Sequence, residues 1–368
     1  MSQTTVRTPS GVRWDCSACG DCCRGYEFGP VSATIVEGLK KLEIDKHWPP
    51  AAAQPWHEVR TDPGGNEVIY FTKKDDHCVF LQDDNLCAIH GRFGAEAKPS
   101  FCREFPFHTV EDPTGLVAIV RADCAGFHKT FKDASTIEQG AADAVALPRV
   151  IKQRKFEPLA VDVFPGFDVG IDDWLVWEPR LLAVLESSVR SPEGGVAALR
   201  DAMNELAERP GGTPNPVRGL MACRAVLQAF RMVMDKVLAT DQSAGNPQQV
   251  AFAAQMSTWI DTARERAEAG TLAPWSDDAQ DYLTVVLRSF IMARQWESGG
   301  SVAAGLGRFL FHTTVCRLLA EPAEDGTITA AAWSAVYVKW NRFAVNGTIT
   351  WTMGKATPAF VDLYRNGV

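Results

Sequence analysis

Four cysteines fall within eight residues near the start of the chain: Cys16, Cys19, Cys22 and Cys23 in "CSACGDCC". Two residues between cysteines let one turn of backbone bring both sulfurs to a single metal. Repeating that interval extends the set to three thiolates. The spacing matches one group of iron–sulfur sites and equally fits a tetrahedral zinc site. Either centre needs a further ligand from elsewhere. Cys23 is an awkward fourth, because adjacent side chains generally point in different directions. It serves a second centre or packs as a small apolar residue.

Remote donors are easy to nominate. "DDHCVFLQDDNLCAIHGRFGAEAKPSFCREFPF" holds Cys78, Cys87 and Cys102, and "ADCAGF" holds Cys124. If "CVFL" and "LCAI" pair across the "QDDN" turn, Cys78 and Cys87 stand opposite each other with β-carbons about 5 Å apart. That separation suits two ligands of one centre. Arg103 and Arg24 directly follow cluster cysteines. Each could lower a thiol pKa or grip a carboxylate bidentately, or be an ordinary ion-pair partner. Arg103, inside "CREFP", is the candidate cofactor-binding residue. A catalytic Cys–His pair would draw on His77 beside Cys78, or on His108 or His128. Sequence neighbours rarely have the geometry that a nucleophile and base require, so no catalytic residue is assigned.

What must position these thiols can be read from the rest of the chain. At 368 residues, with 46% apolar and 22% charged residues, it can bury a core and is not predominantly disordered. A net charge of −8 argues against general binding to nucleic-acid phosphate. The start, "MSQTTVRTPSG", does not read as a secretory signal. No run of membrane-spanning length is free of charge; the best candidate, 301–320, is interrupted by Arg308, His312 and Arg317. The sequence therefore reads as cytoplasmic, with no membrane partner. In that compartment thiols stay reduced, which favours metal or catalysis over disulfides.

Eight of the ten cysteines lie before residue 125. Turn signals "DPGGNE" and "QDDN", with β-type runs "EVIYF" and "CVFL" beside them, predict short hairpins on a cysteine framework. From about Trp174 the periodicity becomes helical. Asn215 is placed as an N-cap with Pro216 at the first helical position. Leu220, Cys223, Leu227, Phe230, Met234 and Val237 then form one apolar stripe. Similar patterns cover 250–266, 277–296, 301–320 and 329–344. Cys223 and Cys316 lie on these helices as packing residues. The glycines of "GGSVAAGLGRF" (299–309) read as a helix start with close packing, and no GxGxxG occurs. The expected fold is mostly α. A small cysteine-rich metal-binding region with short hairpins spans 1–150, and an α-helical domain spans 170–368.

The order and spacing of "CSACGDCC", "CVFLQDDNLCAIH", "KPSFCREFPF" and "DCAGF" resemble the CxxCxxCC cysteine-cluster family, described as zinc- or iron-chelating. The resemblance covers about residues 14–128. It implies chelating roles for Cys16, Cys19, Cys22, Cys23, Cys78, Cys87, Cys102 and Cys124. One departure is that the family's "IYxxRP" is replaced by "AIHGRFGAEAKP", with His90 in the aromatic place and Lys98 before Pro99. His90 is then an extra ligand or, more simply, a cap on a strand end. The helical second half also resembles, faintly, the flagellin lysine-N-methylase type. That type implies an iron–sulfur cluster, S-adenosylmethionine as methyl donor and a protein substrate presenting lysine.

Two functions from different classes follow. One is a metal-centre protein holding an iron–sulfur cluster, or zinc, through its N-terminal cysteines, extended by the resemblance to protein lysine N-methylation. The other is a non-enzymatic protein-interaction module in which zinc staples a small domain that would otherwise lack a core.

Overall fold

The β-branched and aromatic run "EVIYF" favours the strand Glu67–Phe71, which pairs antiparallel with Phe28–Val31 on one side and with His57–Thr61 on the other. The computed structural model describes residues 6–24, 27–61, 65–135, 137, 154–187, 190–244, 247–270, 272–344 and 352–368. The chain divides into two compact units, Met1–Phe156 and Glu157–Val368. Part of the "DPGGNE" turn, residues 62–64, lies outside the described residues, although its flanking strands pair up to Thr61 and Glu67.

The first unit buries Phe28, Val31, Trp56, Phe71, Val79 and Phe80 behind that three-stranded sheet, and Cys78 belongs to the same cluster. Phe71 meets Phe80 edge-on with centroids 4.9 Å apart, the geometry that aromatic quadrupoles favour. The helix Ala33–Lys41 covers this core with Val36 and Leu39, and Ser32 caps it by accepting from the Ile35 N–H at 3.3 Å. A second sheet has the strand order Val6–Arg7, Gly115–Val120, Phe107–Asp112, Arg154–Lys155. Its hairpin turn is held by Asp112, which accepts from the Thr114 N–H at 2.9 Å.

One expectation fails here. "CVFL" is not a strand; only His77–Cys78 pairs, with Lys73–Lys74, around a two-residue turn in which Asp75 and Asp76 both take positive φ. The chain turns again after Cys78, with the Leu81 N–H bonded to the Cys78 carbonyl at 2.9 Å. Leu81, not Cys78, therefore bridges Cys87 across the "QDDN" turn. Paired aspartates at 75 and 76 make the first turn tight enough to end the strand early.

The second unit opens with the hairpin Ala160–Phe164 and Phe167–Gly170, followed by eight described helices. These are Ile171–Ser187, Pro192–Leu206, Pro216–Ala244, Pro247–Glu268, Asp277–Met292, Val302–Leu319, Ala330–Ala344 and Thr357–Asn366. The architecture is mostly α with short N-terminal strands, as the patterning predicts. Asn215 caps its helix by accepting from the Arg218 N–H at 3.3 Å. Cys223, Leu227, Phe230 and Met234 are buried, while Leu220 and Val237 are half-buried at the ends of the stripe.

The helix Val302–Leu319 runs through the middle of this packing. A Cβ on Gly307 would lie 1.7 Å from the Phe360 carbonyl oxygen, and one on Gly305 would lie 2.5 Å from the Trp296 Cα. The glycines exist for close backbone approach. A buried ion pair, Arg294 with Glu178 at 2.5 Å, ties the first helix of the unit to the end of Asp277–Met292. No described helix is long and apolar enough to cross a membrane.

Candidate metal centre

The cysteine loop is built around Gly20, whose φ of 72° lies in the left-handed region. A Cβ there would sit 2.4 Å from Arg24 Nη1 and 3.0 Å from the Asn85 Cβ, so glycine is required twice over. Through that gap Arg24 donates from Nη1 to the Cys19 carbonyl at 2.9 Å and from Nη2 to Asn85 Oδ1 at 2.5 Å. Asn85 itself holds a positive φ of 65° in the "QDDN" turn. Arg24 is thus a strap between the first cysteine loop and the turn that leads to Cys87.

After Gly20 the chain makes one turn of 3-10 helix, Asp21–Cys23. This turn places the Cys22 and Cys23 sulfurs 4.0 Å apart. The sequence argument that neighbouring side chains diverge fails, because it assumes extended or α-helical backbone. The residue that follows, Arg24, bridges His77 antiparallel, which lays the end of the loop beside Cys78. The bridge of Leu81 to Cys87 and the short helix Ser100–Glu104 bring in Cys87 and Cys102. Cys23, Cys87 and Phe101 pack against the core that contains Cys78.

Electrostatics define this neighbourhood. The Cys22 thiol is lowered to about 7, chiefly by a hydrogen bond from Cys23, against the effect of burial and with help from Lys98. Cys23 moves strongly upward, because it keeps the proton that stabilises its neighbour. Burial pushes Cys78 up to about 12 and Cys102 well above the ordinary thiol range. The negative charges of Cys22 and Cys87 add to the rise in both, while Lys98 opposes it. Cys23, Cys78 and Cys102 therefore feel the charge of neighbouring sulfurs, Cys22 and Cys87 among the sources, with Lys98 as the nearby cation. Lys98 is the residue that stands where the resembling family carries arginine.

Cys124 also lies beside the loop, since Gly126 packs against Ser17. Burial raises it to about 12, opposed by the Gly126 backbone and the Trp14 side chain, and the charges of Cys19 and Cys22 act on it. Gly126 is needed here as well, since a Cβ would meet Ser17 Oγ at 2.2 Å. Cys16 is exposed at the outer end of the loop.

Among the described residues, no group of three or more His, Cys, Asp or Glu side chains is arranged to hold a metal ion. The chemistry of the donor set still fits one. Soft thiolates suit zinc and iron, and a crowd of mutually repelling sulfurs gains from a shared cation. Buried donors nearby point the same way. Ser17 Oγ and Arg103 Nε are buried and have no hydrogen-bond partner. Ser17 and Arg103 adjoin cluster cysteines in sequence, and Trp14 acts on Cys124. Unused N–H and O–H groups beside sulfurs are the complement an anionic metal–thiolate centre needs.

Other sequence candidates fall elsewhere. Arg103 spends Nη1 on an ion pair with Glu96 at 3.1 Å. His90 is exposed within the helix Ala88–Phe93, so it caps no strand. His77 Nδ1 lies 3.1 Å from the Asp75 carbonyl oxygen. Cys223 and Cys316 are fully buried among helices of the second unit. Sequence reasoning missed Trp14, Ser17, Asn85 and Gly126. Of these, only the glycine within "DCAGF" and the asparagine within "QDDN" carry a turn signal.

Residues 15–130 match the CxxCxxCC family model, described as a "putative zinc- or iron-chelating domain". The matched CxxCxxCC segment takes in all eight N-terminal cysteines. An uncharacterized protein of Methanocaldococcus jannaschii is 28% identical over 126 residues, which make up 33% of this chain and 40% of that protein. The chain therefore spans less than half the length of this curated relative. No solved structure matches the chain.

Proposed function

We propose that the first unit is a thiolate metal centre whose occupant is an iron–sulfur cluster. Cys22, Cys23, Cys78, Cys87 and Cys102 would hold it, with Cys19 and Cys124 on the adjoining side. The observation that carries the reading is electrostatic. The charges of Cys22 and Cys87 both act on Cys78 and Cys102, which lie far from Cys22 in sequence, and Lys98 opposes them, in the segment that matches a zinc- or iron-chelating family. Eight cysteines are more than one tetrahedral zinc requires, and three of them keep the interval found in iron–sulfur proteins.

When bound, the cluster supplies electron transfer or structural cross-linking. The chain's own residues supply the donors and the surrounding charge. Lys98 offsets thiolate charge, Trp14 donates toward Cys124, and Ser17 has a buried donor to spare. The buried core beneath Cys78 keeps water from that side. No methyl-transfer step enters this reading.

The test is metal analysis of anaerobically purified full-length chain, together with its visible spectrum. Iron and acid-labile sulfide, with broad absorption near 400 nm, are expected. A colourless protein with one or two zinc ions per chain removes the iron–sulfur assignment and favours the zinc-stapled module. Absence of either metal sinks both.

A further inference from the structure

The second unit contains a cavity of about 390 Å³, within the range of small-molecule sites, whose walls carry four arginines: Arg200, Arg209, Arg218 and Arg365. Counter-charge is scarce. Asp362 lines the same cavity, and Asp201 is paired with Arg200 at 2.9 Å. Four positive charges against two negative leave an excess of two, in a chain whose net charge is −8. Among the described residues no carboxylate pairs with Arg209, Arg218 or Arg365. All three are exposed, so their guanidinium forks are available to an anion that enters.

A second observation is independent of charge. Tyr364 lines the cavity and is 3% exposed, yet its hydroxyl is buried without a hydrogen-bond partner. A buried orphan hydroxyl costs about 1–3 kcal/mol, so it persists where something else accepts from it. Arg200, Arg209 and Arg365 all act on this phenol electrostatically, and burial keeps it protonated and able to donate.

The remaining wall is mixed, with Phe164, Pro165 and Val361 beside Asn204, Thr213 and Asn366, and two of its arginines are held in place. Arg209 stacks over the rings of Phe164 and Phe167, at 4.7 Å and 5.6 Å, which fixes its guanidinium without using its hydrogen-bonding edge. Arg200 is held from behind, donating from Nη1 to the Arg365 carbonyl at 3.2 Å. The loop "ERPGGTPNP" supplies Arg209 and leads into the helix that carries Arg218.

The geometry points to a binding site for a small organic dianion, a phosphate monoester or a dicarboxylate, held by Arg209, Arg218 and Arg365 with the Tyr364 hydroxyl as a neutral donor. A charge of two matches the excess, planar guanidinium forks match phosphate and carboxylate oxygens, and the phenylalanine–proline wall takes a carbon skeleton. This site stands apart from the thiol centre and does not rest on its metal.

Isothermal titration of the full chain with phenyl phosphate, inorganic phosphate and succinate tests the proposal. The native chain is compared with Tyr364→Phe and Arg209→Gln, with far-UV circular dichroism as the check on folding. Tyr364→Phe keeps the ring and removes only the orphan hydroxyl, so it folds normally. Phenyl phosphate or succinate is expected to saturate at one site and to bind roughly ten- to hundredfold more weakly in both variants. Whichever of the two binds more tightly identifies the anion class. Failure of both to saturate, or native affinity in either variant, overturns the proposal.

Discussion

Individual side chains set two kinds of cysteine apart. Cys23, Cys78 and Cys102 are shifted by the charges of neighbouring sulfurs as well as by burial, whereas burial alone raises Cys223 and Cys316. Cys78→Ser is therefore expected to lose most of the bound metal, measured per chain by mass spectrometry of the metal. Cys223→Ala should retain it all and cost only about 1 kcal/mol in urea unfolding. Equal metal loss in the two variants would end the assignment. A different residue governs pH response in the second unit. His312 is half-buried and accepts from Trp340 Nε1 at 2.8 Å, and desolvation with Arg308 nearby depresses it from 6.5 to about 3. Between those values the unfolded chain binds a proton that the folded chain refuses. Its contribution is present in full above pH 6.5 and is lost as pH falls toward 3. Urea midpoints for unfolding of the second unit should fall from pH 6.5 to 5, and the fall should be shallower in His312→Gln. At this scale the sequence was legible for candidates, since spacing nominated Cys16, Cys19 and Cys22 and the family resemblance extended the set to eight. It was silent on Lys98 as their common cation and on Tyr364, whose roles depend on what folds beside them.

Elements decide which thiols meet. The loop Cys16–Cys23 is strapped by Arg24 to the turn at Asn85, and Gly20 makes room for that strap. Gly20→Ala puts a β-carbon on the guanidinium and forces alanine into a left-handed backbone. The expected cost is about 2 kcal/mol or more, with weaker metal retention, both read by chemical unfolding with and without metal. Native stability in this variant would show that the strap organises nothing. Helices were the easiest elements to read, because each carries a run of apolar positions at helical spacing and several carry an N-cap such as Asn215 or Ser301. Short strands were harder. "CVFL" has strand composition, but the positive φ angles of Asp75 and Asp76 and the turn after Cys78 stop the ladder at two residues. The same local geometry explains Cys23. A 3-10 turn sets neighbouring sulfurs 4.0 Å apart, which no rule about extended backbone foresees. The glycines of 299–309 were read correctly as packing, and Gly307 against the Phe360 carbonyl gives the reason.

Across the molecule, the two units bury separate sets of side chains: the first around Phe71 and Phe80, the second around Phe230, Phe311 and Trp340. Metal removal is expected to act on one of them. A strong chelator should make Met1–Phe156 sensitive to protease while Glu157–Val368 keeps its helical signal at 222 nm, followed by mass spectrometry and circular dichroism. A helical signal that falls together with the metal would count against this division. The sequence revealed a cysteine-rich part followed by a helical part, because composition and periodicity both change along it. It could not reveal the arginine-lined cavity, whose walls come from a hairpin, four helices and a loop spread over two hundred residues. Exposure of the thiols carries one more consequence. Cys16 and Cys22 face solvent, whereas Cys78 and Cys124 are buried. The sulfur cluster is therefore one-sided, with an accessible rim and a protected floor. An oxidant or a competing chelator arriving from water reaches the rim first, so a centre held there would be dismantled from its outer edge inward, and Cys78 would be among the last sulfurs to let go.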